Sequence, residues 1–405
     1  MKVKSTFASH PRYSLMTFIL FWCGLIILSS MYITIPLLSM FSSLFSIPLK
    51  QAAWLGSAFA FCYALGCLIY GPFSDRFGRK IFLVVSLSLL ALVTFITGFV
   101  DHFYTLVALR ALQGLIAAAF APISLVYAGE MFPREKRVMV IGYISLGFFM
   151  AAIIGQVFSG LIDQLFNWNT LFFILGILYF LTTLMVIRFL PQEPPPEQKE
   201  NILLKFKKMF ALLKKKQLLL AFPITFMVLF SLVGLYTILG HYVSDIYGLN
   251  TDDILMIRGI GIVGMLISPF AGQLAKRFGM LTVLRTGLIC AIVGIVCVGF
   301  SPSLSFMVLM TILFVFGLSL VNPINISLIS ELSGAARGGA LSFNAFILFL
   351  GASSAPFVAI RILEVGQYQI AFLLLALLLS LSLLSSLFIQ NKEQESSLSE
   401  MKIDA

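Results

Sequence analysis

Twelve long runs of mostly apolar residues constrain this chain more than any other feature. They lie at about 13–38, 51–73, 81–100, 104–128, 138–162, 168–189, 217–240, 253–275, 281–300, 304–329, 338–361 and 368–389. A membrane-spanning helix needs about 20 such residues. In lipid every backbone N–H and C=O must be satisfied within the protein, so the runs predict helices. Composition agrees: of 405 residues, 60% are hydrophobic and 11% charged, whereas a soluble domain carries about 25% charged residues. The first run is too long for a secretory signal and lacks a small-residue cleavage site, so it reads as a span. The expectation is an all-α membrane protein.

The gaps between runs are mostly short, which places sequential helices side by side. The exception is 190–216, which opens with Pro191-Gln192-Glu193-Pro194-Pro195-Pro196 and cannot continue a helix. It separates a first bundle (1–190) from a second (217–390), with a tail at 391–405. Within the 191–216 linker, Ile202, Phe206, Met209 and Leu213 recur at helical spacing among Lys205, Lys207, Lys208 and Lys214 to Lys216. That pattern predicts an amphipathic basic helix lying on an anionic leaflet; a solvated basic loop is the alternative.

The two halves echo each other. Gly71-Pro72-Phe73-Ser74-Asp75-Arg76-Phe77-Gly78-Arg79-Lys80 is a polar island between two runs. At an offset of 201 residues, Gly71, Arg76, Phe77 and Gly78 recur as Gly272, Arg277, Phe278 and Gly279, with Lys276 in place of Asp75. At the same offset Pro122 matches Pro323 and Glu130 matches Glu331. Small residues recur every four positions at Gly147, Ala151, Gly155 and Ser159, and again at Gly351, Ala355 and Ala359. Such spacing lets helix backbones approach closely in lipid. A repeated half predicts two pseudo-symmetric six-helix bundles.

The net charge of +10 raises nucleic acid as a partner, but placement argues for topology instead. Of the 27 Lys and Arg, 23 lie in the terminal tails, every second gap and the linker; the others are Lys50, Arg110, Arg258 and Arg361. Both termini, the linker and the Asp75 and Lys276 turns are therefore expected on the cytoplasmic side. The five Cys all sit inside apolar runs and form no metal or redox spacing, so neither a metal site nor a cofactor is expected. His10, His102 and His241 are far apart in sequence. No Gly-x-Ser-x-Gly, His-Glu-x-x-His or phosphate-loop pattern occurs, which argues against an enzyme and against ATP-driven transport by this chain alone.

The Gly71 to Lys80 island resembles the signature of the major facilitator superfamily between its second and third helices, and the resemblance extends over essentially the whole chain. Arg110-Ala111-Leu112-Gln113-Gly114 is similar to the Arg-x-x-Gln-Gly pattern in the fourth helix of drug:proton antiporters. Tyr143-Ile144-Ser145 through Gly155-Gln156-Val157-Phe158-Ser159-Gly160, with Phe166-Asn167-Trp168, resembles the acriflavine-sensitivity and arabinose-efflux-permease-like branch. The resemblance implies the major facilitator fold, alternating access around a central cavity, monomeric function and proton coupling. Two departures stand out. The fifth helix lacks the proline of the antiporter pattern Gly-Pro-x-x-Gly-Gly, and no acidic residue lies well inside the first, fourth or seventh span.

The resemblance also assigns roles. Asp75 would pair with bases such as Arg134 and Arg137, with Glu130 competing, and hold the cytoplasmic gate shut; Gly71, Arg76, Gly78, Arg79 and Lys80 complete that gating motif. Because the two turns differ in sign at Asp75 and Lys276, they need not be equivalent locks. Arg110, about 9 Å along its helix, is too costly in lipid to be idle, and either snorkels or faces a polar interior. With Gln113 one turn on, it is the candidate for coupling or for an anionic substrate group. Tyr32, Gln113, Tyr236, Asn322 and Asn325 are cavity candidates, with Gln156 and Asn344 behind them; interhelical hydrogen bonding is the alternative for each. Arg258 is balanced between a surface ion pair with Asp252 or Asp253, snorkelling, and a cavity role. The leading function is proton-coupled efflux of small amphipathic molecules. Uptake or exchange of a neutral or anionic metabolite is the alternative, and a non-transporting receptor a third class.

Overall fold

The computed structural model describes residues 13–192, 202–363 and 366–390. Among them there is no strand, and twelve helices are long and apolar enough to cross a membrane. The first half holds α1 (Tyr13–Tyr32), α2 (Lys50–Ser74), α3 (Arg79–Thr97), α4 (Phe103–Met131), α5 (Arg134–Leu165) and α6 (Trp168–Phe189). The second holds α7 (Lys216–Tyr247), α8 (Asp253–Phe278), α9 (Met280–Gly299), α10 (Leu304–Ser333), α11 (Arg337–Leu363) and α12 (Tyr368–Leu387). Large apolar side chains stay exposed on outer helices, for example Leu92, Phe180, Leu377 and Leu381. A helix apolar all round is the form that lipid stabilises.

Prolines explain where helices depart from the expected spans. The first run was expected to reach residue 38, but α1 ends at Tyr32 and a separate short helix covers Leu38–Leu44. Pro36 lies between them; it lacks an N–H and bars its neighbour from helical geometry. In α4 the helix is interrupted between Ala117 and Phe120, just before Pro122. The α8 span is built from Thr251–Ile260, Ile262–Met265, a 3-10 turn at Ser268–Phe270 containing Pro269, and Ala271–Phe278.

The internal repeat has a physical counterpart. Gly78 and Gly279 follow α2 and α8 with φ of 101° and 85°. Side chains other than glycine are strained there, which accounts for glycine at both turns. In each half the small-residue stripe seats one helix on another. A Cβ on Gly155 of α5 would come within 2.7 Å of the Ser29 carbonyl of α1, and one on Gly351 of α11 within 2.3 Å of the Phe226 carbonyl of α7.

The linker contains the expected helix, Ile202–Ala211. Its stripe meets protein: Met209 is buried beside Gly339 of α11, and Phe206 packs edge-on to Phe73 near the end of α2. Lys207, Lys214, Lys215 and Lys216 are exposed. The helix therefore lies across one helix from each half, on what we call the linker face of the molecule; the opposite side is the far face. Met209 and Phe206 meet these apolar helix ends, while Leu204 and Phe210 stay exposed.

Candidate functional site

The halves are pressed together at the linker face, and glycines make this closeness available. A Cβ on Gly71 would fall 1.8 Å from Ser342 Oγ of α11. Its repeat partner Gly272, in α8, stands in the same relation to Val138 of α5 at 3.0 Å. Gly142 of α5 meets backbone: its Cβ would lie 2.3 Å from the Ser268 carbonyl. Arg337 Nη1 donates to the Gly129 carbonyl across the boundary at 3.2 Å. Deeper in, Asn322 Nδ2 donates to Ser145 Oγ at 3.0 Å, and Tyr63 meets Phe349 edge-on at 4.5 Å between ring centres. None of Gly142, Ser145, Phe349 and Arg337 was singled out from sequence as a boundary contact.

Two charged residues of the island, Arg79 and Lys80, contact the first half. Arg79 is buried and pairs with Glu130 at the end of α4, Nη2 to Oε1 at 3.0 Å and Nε to Oε2 at 3.3 Å. Its Nη1 also donates to Ser74 Oγ at 3.1 Å. This bidentate pair clamps the α2–α3 turn to α4. Glu130, expected to compete for Arg134 and Arg137, holds Arg79 instead. Arg137 Nε donates to the Phe132 carbonyl, Lys80 Nζ to the Ile187 carbonyl, and Arg134 is exposed. The side chains of Asp75, Arg76 and Phe77 lie outside the described set, and so does the pairing expected of Asp75.

Arg110 does not snorkel; it is fully buried. Nη2 donates to the Ser30 carbonyl at 2.6 Å, Nη1 to Ser30 Oγ at 3.1 Å and to Gln113 Oε1 at 2.6 Å, and Nε to the Leu55 carbonyl at 3.3 Å. The Phe59 ring packs against the guanidinium, its centre 4.4 Å from the guanidinium carbon. Gln113 Nε2 donates onward to Thr97 Oγ1 at 2.8 Å. The premature end of α1 explains the location. Carbonyls in the last turn of a helix have no partner further along, and Arg110 supplies one to Ser30. Arg110 and Gln113 thus tie α1, α2, α3 and α4 into one polar knot.

Arg258 makes a different set of contacts. Asp253 is engaged with Asn250 in a capping box at the start of α8, so the ion-pair alternative is not realised with it, and the Asp252 side chain lies outside the described set. Arg258 Nη1 instead reaches Gln156 Oε1 of the first half at 3.2 Å, and Nη2 donates to the Tyr236 carbonyl at 3.1 Å. Alongside this bridge, on both sides of its level, α5 and α8 part. The cleft between them, of about 900 Å³, is lined by Gln156, Val157, Leu161, Met256, Gly259 and Ile260 among others. Tyr32 is half-buried on α1. Asn325 joins a buried network in the second half, where its Nδ2 donates to Thr225 Oγ1 at 2.9 Å and Thr225 donates to Asn344 Oδ1 at 2.6 Å. The candidates therefore separate: Arg110 and Gln113 lie inside one half, Asn325 and Asn344 inside the other, and Asn322, Gln156 and Arg258 on the boundary.

Comparison with known proteins places this arrangement. Residues 20–333 and 255–403 match the profile described as Major Facilitator Superfamily. A multi-drug resistance efflux pump, PmrA, of Streptococcus pneumoniae is 26% identical over 373 residues, covering 89% of this chain and 92% of PmrA. An uncharacterized transporter of Buchnera aphidicola subsp. Schizaphis graminum is 26% identical over 373 residues and 90% of each chain. The multidrug resistance protein MdtG of Rahnella sp. is 29% identical over 235 residues, 56% of each chain. Among solved structures, the human organic anion transporter MFSD10 (TETRAN) superposes with a TM-score of 0.78 at 16% identity, covering 93% of this chain and all of that one.

Proposed function

Because the chain belongs to the Major Facilitator Superfamily, and so is a membrane transporter of small molecules rather than an enzyme, we propose that it exports amphipathic compounds by alternating access, exchanging them for protons. The linker face, with both termini, is assigned to the cytoplasm and the far face to the periplasm of a bacterial inner membrane. The working unit is a single chain. The observation that carries this reading is the graded contact between α5 and α8. They touch through backbone at Gly142 and Ser268, and further along are bridged by Gln156 and Arg258, beside which they leave the cleft. Packed interfaces switch between discrete arrangements, so contacts of this kind are where one state gives way to another. The similarity to PmrA and MdtG supports export. The gating role is kept for Asp75 and its neighbours, with Gly71 and Gly272 as the close contacts that the gate must part.

Purified protein in vesicles with an imposed pH gradient of either sign tests the direction and the coupling. Substrate accumulation should follow the gradient that drives protons opposite to substrate. Transport indifferent to both gradients would remove the proton claim. A second reading, movement of an anionic metabolite, is favoured by one observation: Arg258 is part-buried at the boundary between the halves with no carboxylate partner among the described residues.

A further inference from the structure

Fully buried Arg110 and part-buried Arg258 differ in how far their donors are used. A guanidinium has five N–H donors. Arg110 commits four of them to carbonyl and hydroxyl oxygens at 2.6–3.3 Å, and an aromatic ring covers it. Arg258 commits two, one to Gln156 and one to Tyr236, and its Nε–H is buried without a partner. Beside it the Tyr236 hydroxyl is also buried without a partner. Two glycines leave room for this pair. A Cβ on Gly261 would lie 2.2 Å from Tyr236 Oη, and one on Gly240 3.3 Å from Arg258 Nη2. No carboxylate neutralises Arg258 among the described residues, and a cation and two donors left this way inside a protein are costly. Its side-chain partner Gln156 also belongs to the wall of the apolar cleft between α5 and α8.

We propose that Arg258 and Tyr236 form a binding site for the oxyanion head of an amphipathic anion, whose apolar body occupies the α5–α8 cleft past Gln156. Arg110, with four of its five donors held by its own half, is a structural staple and not the group that recognises the charge. This rests on the transporter reading above and specifies its substrate class as organic carboxylates, sulfates or sulfonates. The class fits a chain without an acid well inside its first, fourth or seventh span. An inside-negative potential itself drives such an anion outward, so its export does not require a central carboxylate to carry a proton. The Gln156–Arg258 bond bridges the two halves, and an oxyanion competing for Arg258 would loosen it.

The test uses the full chain in zwitterionic nanodiscs with 11-(dansylamino)undecanoate as fluorescent probe and empty discs as background. Decanoate and decyl sulfate should displace the probe, while decyltrimethylammonium and decanol at the same concentration should not. R258Q should weaken probe binding by about tenfold or more, and Y236F by less, because a charge-assisted hydrogen bond contributes more than a neutral one. Arg110→Lys should leave affinity within about twofold, the scatter expected for a group that touches no ligand. Displacement indifferent to the head group overturns the proposal, as does wild-type affinity in R258Q. If R258Q does not fold, wild-type affinity in both R258K and Y236F overturns it equally. Loss of probe binding when phosphatidylglycerol is added to the disc would make this a lipid site and also overturn it. Binding that survives while vesicles show no export refutes the proposed direction of transport and leaves this site standing. Export with no head-group preference does the reverse.

Discussion

Gly142→Ala is the substitution whose consequence follows most directly from the structure. The added Cβ would sit 2.3 Å from the Ser268 carbonyl oxygen and 2.8 Å from Pro269 Cα. Ordinary contact begins about 1 Å further out, and close-packed interiors offer no slack of that size. Both opposing atoms are backbone, in a 3-10 turn stiffened by proline, so no rotamer change relieves the clash. The helices must part, and they belong to opposite halves. Overpacking of this kind costs about 1–3 kcal/mol. The cost falls on the arrangement with the linker face closed and vanishes when α5 and α8 separate there. Alanine also favours the helix over glycine by about 1 kcal/mol, but in both arrangements alike, so that gain cancels. The ratio of closed to open should therefore shift by about 5- to 150-fold toward open. Spin labels at Glu135 and Lys276, in a background without the five native cysteines, report the α5–α8 distance at the linker face. The long-distance population should grow in Gly142→Ala. It should not grow in Gly160→Ala, on the same helix, where a Cβ meets nothing within 4 Å. Equal populations in the wild type and Gly142→Ala would refute the argument that this contact holds the halves together.

Three further outcomes are expected. Arg110→Ala strands the Ser30 carbonyl and Gln113 Oε1 and opens a cavity, so it should destabilise the first half by at least about 3 kcal/mol; thermal melting in detergent checks this, and an unchanged midpoint would contradict the staple. Ser145→Ala and Asn322→Ala should couple by about 0.6 kcal/mol in a double-mutant cycle read from the same spin-label populations, and simple additivity would show that their 3.0 Å contact does not hold the boundary. Asp75→Asn should slow vesicle transport more than Lys276→Gln while both insert normally, and equal effects would remove the asymmetry read from the repeat.

The two arginines show why part of the site was legible and part was not. Arg110 and Arg258 stand at comparable depth in their runs, and sequence favoured Arg110 because Gln113 follows it and the local pattern resembles one known in antiporters. The distinction between a guanidinium with four donors held and an under-used one depends on where Ser30, Leu55 and Phe59 end up, and these come from two other helices. The same holds for Glu130. Sequence placed it at the end of the fourth helix among bases but did not choose between them; folding set Arg79 against it at 3.0 Å. Gly142 carried no distinguishing pattern, since its importance comes from one carbonyl 126 positions later in the chain.

Twelve helices, two repeated halves and the glycine turns at residues 78 and 279 were determined by sequence alone. Each is a local consequence: apolar length in a medium without water dictates helix, proline ends it, and a backbone with positive φ calls for glycine. Tertiary structure decided which arginine is satisfied, which glycines lie between the halves, and that part of the linker's apolar stripe meets protein rather than lipid. These are properties of pairs of residues far apart in the chain. A hydrogen bond or a close backbone approach exists only once both partners are placed, and no periodicity in either helix records the other's position.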